Sequence, residues 1–179
     1  MINSKEINSE NYLIDKVEEL YLDAFPSNER RDFDEFLRLL DDKSVPFFVS
    51  VLEEDGEFAG FLTYWAWDDF RYFEHFAVAP EKRNGGKGGA FLRMMVENAS
   101  TPVVLEVELP EDEMAVRRIG FYRRNGFHLW DNVPYLQPSY GEGREPVPLC
   151  LMTAGDITFD GENDEKIRRI KREVYGVAE

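Results

Sequence analysis

The sequence predicts an α/β fold: a mixed sheet, mostly antiparallel, flanked by helices and holding one central parallel βαβ pair. Three observations carry this. Apolar runs at 46–53, 57–67 and 71–79 follow one another across short polar breaks, as in an antiparallel meander. A helical pattern with Phe91, Leu92, Met95 and Val96 on a shared side comes next, and then a β-branched run, Pro102–Leu109. A strand that returns through a helix to another strand of the same sheet lies parallel to it.

Taken in order, residues 1–8 read as a loose end or a short first strand. From Ser9 to Phe25, the positions Leu13, Val17, Leu20, Tyr21 and Ala24 keep helical spacing, and Pro26 stops the helix. Phe33, Phe36, Leu37 and Leu40 mark a second amphipathic helix. Glu54-Asp55-Gly56 joins the next two apolar runs, and Asp-Gly there is a hairpin signal. After Pro102–Leu109 a loop leads to a helix from about Met114 to Asn125, ended by Gly126 in the left-handed manner. Another strand begins at Phe127. Residues 131–146, rich in Pro, Gly and Tyr, read as a long loop. Val147–Thr153 is a last strand, and Glu162–Tyr175 a charged helix burying Ile167, Ile170 and Val174.

The 179 residues, 43% of them hydrophobic, suit a single domain over 1–179 with a core of its own. No apolar run approaches the roughly 20 residues that span a bilayer, and Met-Ile-Asn-Ser-Lys-Glu carries no signal-peptide core. A cytoplasmic location and no membrane partner are the expectation. One cysteine and two histidines argue against a disulfide or a zinc site, so no metal is expected. The formal net charge of −15 disfavours nucleic acid, whose affinity comes from Lys and Arg on phosphates, and is compatible with a cationic substrate such as an amine.

The stretch most informative about function is Phe73–Val96. Its apolar run ends at Pro80; Gly85, Gly86, Gly88 and Gly89 follow within five residues, and a helix starts at once. Glycine admits positive φ and close approach of backbone to a ligand. The first N–H groups of a helix lack partners within it, and with the helix dipole they favour an anion. Arg83 and Lys87 add positive charge. A phosphate or pyrophosphate site is the inference. The Walker pattern fails because Gly88 follows Lys87, and the dinucleotide fingerprint fails because Phe91 stands where its third glycine belongs.

What fits is Arg-x-x-Gly-x-Gly, carried by Arg83, Gly86 and Gly88. This resembles the coenzyme A pyrophosphate loop of the Gcn5-related N-acetyltransferases. The same family is resembled by Phe121-Tyr122 followed four residues on by Gly126-Phe127, and by Leu105-Glu106-Val107, similar to its carboxylate-bearing strand. Order and spacing agree from about residue 46 to 130. The acidic loop 110–115 departs from the pattern by its length and its lack of an asparagine, and the last third matches loosely.

The resemblance implies a twisted sheet of about seven strands in which 71–79 and 102–109 diverge at one end. It implies acetyl-CoA as cosubstrate, with the main chain of Phe76, Ala77 and Val78 pairing its pantetheine arm. The amides of Arg83, Asn84, Gly85, Gly86, Lys87, Gly88 and Gly89 would hold its pyrophosphate. It implies acetyl transfer to a primary amine of a small molecule or peptide, and a possible homodimer. The two short helices near the start would wall the acceptor pocket, where Glu29, Arg30 and Arg31 could face substrate.

An amine attacks a thioester as the free base, and a lysine-like amine has a pKa of about 10, so a base or a water chain to one is useful. Glu106 and Glu74 are the candidates, with Glu108 a further one on the face of Glu106. Glu106 sits among apolar neighbours that raise a carboxyl pKa. The leaving thiolate needs a proton, and the resemblance gives that role to Tyr122. Strand alternation puts His75 opposite Glu74, as a packed side chain. His128 and Cys150 receive no role. A non-catalytic acyl-CoA-binding module, or a protein binding another phosphate ligand, is the alternative.

Overall fold

In the computed structural model, which describes residues 1–178, Asp55 and Gly56 both take positive φ (52° and 83°) and close a two-residue hairpin. It joins β2 (Phe47–Glu54) to β3 (Glu57–Ala66). Before it, β1 (Ile2–Ile7) pairs antiparallel with β2, the short first strand rather than the loose end. After it come β4 (Arg71–Val78), β5 (Val103–Glu108), β6 (His128–Gln137) and β7 (Val147–Ala154). The seven strands make a single sheet in the order β1-β2-β3-β4-β5-β7-β6. Only β4 and β5 are parallel, as the strand–helix–strand reading requires.

The helices are α1 (Ile14–Ala24), α2 (Phe33–Asp41), α3 (Lys87–Ala99), α4 (Glu113–Arg124) and α5 (Glu165–Arg169), the last running into a wide π turn at Ile170–Val174. They cover both faces of the sheet. On one face Val17, Tyr21, Phe36, Ile167 and Ile170 pack on Val49, Phe61 and Trp65. On the other Phe91, Leu92, Met95 and Ile119 pack on Leu62, Phe73, Leu105 and Met152. Each large side chain taken fully out of water contributes roughly 1.5–3 kcal/mol. Asp112 caps α4 by accepting from the Ala115 N–H at 2.8 Å. Gly126, at φ 90°, ends that helix as expected. Among the described residues no helix is long and apolar enough to cross a membrane.

Two expectations need correction. The stretch 131–146 is not wholly loop, because β6 continues to Gln137. It lies at the sheet edge, and its pairing with β7 breaks between Trp130 and Tyr135, where Pro134 sits. An edge strand has no second partner to claim the missing N–H, so proline is tolerated there. The helix expected at 162–175 is α-helical only over Glu165–Arg169 before it widens.

Candidate active site

The parallel pair is short. β4 meets β5 only where Arg71, Tyr72 and Phe73 oppose Val103, Val104 and Leu105. Beyond these residues the strands part, and a cleft of about 630 Å³ opens, lined by Phe76, Val78, Glu106, Glu108 and Tyr122 among others. One edge of β4 remains paired to β3 through Val78, so the other edge, from Glu74 on, faces the cleft. The divergence implied by the resemblance is present.

Glu74 is the extra residue of a bulge. Thr63 opposes His75 and Tyr64 opposes Phe73, so nothing opposes Glu74. Strand alternation therefore fails across it. Glu74 accepts from Trp65 Nε1 at 2.7 Å, while His75 packs edge-on against Tyr21 and Phe25 of the same layer. The expectation that these two face opposite sides is overturned by the bulge.

At the start of α3, Asn84, Gly85 and Gly86 take φ of 80°, 71° and 76° in succession. Among the described residues no side chain caps the helix. Ala90 N–H reaches Gly86 O at 3.1 Å, and the amides of Lys87, Gly88 and Gly89 precede that first helical bond. Consecutive left-handed residues leading into free amides form a concavity suited to an anion. The two cations near it are engaged elsewhere. Arg83 Nε donates to Val78 O at 2.9 Å, and Lys87 Nζ pairs with Glu54 at 2.8 Å. Gly89 has a different role: a Cβ there would lie 2.9 Å from Asn125 Oδ1, so glycine lets α3 approach the end of α4.

Glu106 is half-buried, and its carboxylate is held by hydroxyls. Tyr135 OH donates to Oε1, and Tyr175 OH lies 2.9 Å from each oxygen. Burial raises its pKa to about 7, and the Tyr135, Tyr72 and Tyr175 hydroxyls oppose that rise. Glu74 has a different environment. Its Oε2 pairs with Arg31 Nη1 at 2.8 Å and accepts from Tyr140 OH at 2.8 Å. Burial acts to raise its pKa, but the Arg31 guanidinium and the Trp65 N–H outweigh burial and hold it below the ordinary range. His75 Nε2 donates to Glu29 O at 2.8 Å, and burial keeps this ring neutral by lowering its pKa.

Tyr122 lies in the last turn of α4 with its ring against Phe121 and Phe127. Among the described residues no hydrogen-bond partner reaches its hydroxyl, and the side chain lines the cleft. Burial pushes the phenol up to about 12, so it carries its proton at neutral pH. Glu108 is paired with Arg118 of α4. Of the turn between α1 and α2, Glu29 lines the cleft, Arg30 donates to Phe25 O at 2.9 Å, and Arg31 is buried on Glu74. Cys150 is buried, and burial raises its thiol pKa.

The structure thus brings Glu106, Tyr122 and the main chain of Phe76, Ala77 and Val78 to one cleft. Sequence reasoning missed Tyr135, Tyr140 and Tyr175. Tyr135 and Tyr140 fall in the stretch read as loop, and only its density of tyrosines could have drawn notice.

The model of the acetyltransferase (GNAT) family matches residues 14–127. Among solved structures, the chain resembles a putative GNAT-family acetyltransferase from Bacteroides thetaiotaomicron at 37% identity, covering 98% of this chain and 99% of that one, with a TM-score of 0.92. It also resembles a GNAT family acetyltransferase from Elizabethkingia anophelis with acetyl-CoA bound, at 17% identity, 87% and 98% coverage and a TM-score of 0.57. The ribosomal-protein-S18-alanine N-acetyltransferase from Escherichia coli follows at 18% identity, 91% and 98% coverage and a TM-score of 0.61. A search of curated proteins by sequence finds no significant match. The family match across more than half the sequence and the close full-length likeness to one of its structures establish that this chain belongs to the acetyltransferase (GNAT) family.

Proposed function

We propose that the chain, acting as one domain, moves an acetyl group from acetyl-CoA to a primary amine by direct attack. One observation carries this reading: a single cleft is lined by a half-buried carboxylate, Glu106, and the phenol Tyr122, and runs along β4 to Arg83, where the glycine turn leads into the start of α3. Bound acetyl-CoA supplies an activated acyl thioester. The amides from Arg83 to Gly89 hold its pyrophosphate, and the free edge of β4 at Phe76–Val78 holds its amide-bearing arm. Burial keeps water away from the reacting atoms and strengthens each hydrogen bond made there.

Glu106 takes the role of base, by direct contact or through a water. A carboxyl titrating near neutrality is both ionised enough to accept a proton and basic enough to remove one. Glu74 suits that role less, because the Arg31 guanidinium paired with it at 2.8 Å helps hold its pKa below the ordinary range, which makes it a weaker base than Glu106. We assign it to holding the α1–α2 turn on the sheet. Tyr122 returns a proton to the departing thiolate. An amine acceptor agrees with the name of the Escherichia coli alanine N-acetyltransferase and with the carboxylates Asp23, Glu29 and Glu108 at the cleft.

The test combines thermal melting with a thiol-release assay over an amine library. Acetyl-CoA should raise the melting temperature where ATP and NAD do not, and thiol release should depend on an added amine. Stabilisation with no turnover on any amine would leave an acyl-CoA-binding module as the reading.

A further inference from the structure

The family match ends at residue 127, yet three of the hydroxyls around the carboxylate pair come from beyond it: Tyr135 on β6, Tyr140 in the loop after β6, and Tyr175 after the π turn. That turn is firmly placed. Ile167, Ile170 and Val174 are buried in the layer beneath the sheet. Glu173 accepts from Trp67 Nε1 at 2.7 Å, and Arg169 pairs with Asp69 at 2.7 Å.

We infer that Tyr175 is the positioning residue of Glu106, holding its carboxylate in the orientation from which it removes a proton. This rests on Glu106 being the base. Tyr175 is the hub of the cluster: one phenolic oxygen lies 2.9 Å from both carboxylate oxygens, 3.1 Å from Tyr72 OH and 3.5 Å from Tyr140 OH. Tyr140 gives its own proton to Glu74. The groups facing Glu106 are then Tyr72 and Glu74 from β4, Tyr135 from β6, Tyr140 from the following loop, and Tyr175. Lys171 lies over the Tyr135 ring. Among the described residues no cation pairs with Glu106, so hydroxyl donors alone stabilise its charged form against burial. Of these, Tyr175 alone is set against both oxygens, which fixes the plane of the carboxylate as well as its charge.

The experiment is an NMR titration of the Glu106 carboxyl carbon in ¹³C-glutamate-labelled, acetyl-CoA-free protein, with the resonance identified by its loss in Glu106→Gln. Removing one donor disfavours the carboxylate, so Tyr175→Phe should raise the midpoint by about one pH unit. The acid limb of kcat/KM should follow, leaving turnover about tenfold lower well below the limb and little changed above it. Val174→Ala loosens the same turn but keeps the hydroxyl. It should lower the melting temperature and leave the midpoint in place. An unmoved midpoint in Tyr175→Phe, or an equal shift in Val174→Ala, overturns the inference while leaving Glu106 as base. A midpoint that moves while the kcat/KM limb stays still overturns the base assignment, and the inference with it.

Discussion

Glu74 and His75 are consecutive on β4, yet both side chains serve the same face of the sheet. The bulge opposite Thr63 and Tyr64 makes this possible. The pair pins one short turn from two directions. His75 donates to the carbonyl of Glu29, and Glu74 takes the guanidinium of Arg31 two residues on. Tyr21 adds a third tie, its hydroxyl accepting from Arg31 N–H at 3.0 Å. The wall of the cleft formed by Glu29 is therefore fixed from beneath.

Arg31→Met should be costly. Both partners are buried, with side-chain exposures of 2% and 0%. Removing one leaves the other charge uncompensated, which typically destabilises by about 3–5 kcal/mol. Urea unfolding should show a loss of that size, and the double variant Arg31→Met/Glu74→Gln should regain a large part of it. A loss below about 1 kcal/mol would mean the pair anchors nothing. The pH dependence has a definite sign. The folded pKa of Glu74 is lowered, so its contribution is present above the unfolded value and is lost as pH falls through the folded one.

Glu106 should behave in the opposite sense. Its folded pKa, about 7, lies above the ordinary 4.5, so the folded state binds the extra proton between those values. Stability from this group therefore declines as pH rises through that window, by on the order of 3 kcal/mol at 1.36 kcal/mol per unit. Comparing wild type with Glu106→Gln isolates the effect. The glutamine variant should gain on wild type steadily from about pH 4.5 to about pH 7 and not beyond. Parallel stability profiles would show that Glu106 titrates normally.

How much of this was legible beforehand depends on the kind of signal. The Asp55-Gly56 hairpin, the crossover from β4 to β5 and the glycine loop before α3 are local patterns, written in neighbouring residues. Glu106 was legible too, as a carboxylate within a β-branched run. The cluster around it was not. Tyr72, Tyr135, Tyr140 and Tyr175 come from separate stretches and meet only because β7 inserts between β5 and β6 and the π turn folds back beneath the sheet. Arg31 looked like a solvated or substrate-facing charge because its partner lies 43 positions away. The bulge at Glu74 was hidden as well, since one extra residue in a strand leaves no mark in an apolar run.

Gly86→Val should separate ligand binding from folding. At φ 76° a β-branched residue is strained by roughly 1–2 kcal/mol, although among the described residues nothing beyond the adjoining chain lies within 4 Å of the added Cβ. The free protein should lose a few degrees of melting temperature and remain folded. The stabilisation by acetyl-CoA, about 2.7 kcal/mol at a hundredfold excess over Kd for an intact site, should disappear. Gly89→Ala should do the reverse. Its Cβ would press on Asn125 Oδ1 at 2.9 Å, so the free protein suffers first. A Gly86→Val protein that melts higher with acetyl-CoA by the same margin as wild type would remove the loop from the binding site.

Tyr122→Phe tests the acid. The hydroxyl has no hydrogen-bond partner among the described residues, so its removal should change stability by less than about 0.5 kcal/mol, as for substitutions that break no network. The thermal shift with acetyl-CoA should also persist, because the ring and its contacts with Phe121 and Phe127 remain. Turnover is where the loss should appear. A positioned proton donor is worth about 10²–10⁴-fold, and kcat should fall within or near that range. The loss should shrink when the thioester carries a more acidic thiol, which departs without help. A fall of less than about threefold, or an equal loss with both leaving groups, would move the donor elsewhere in the cleft and leave Tyr122 as a wall residue.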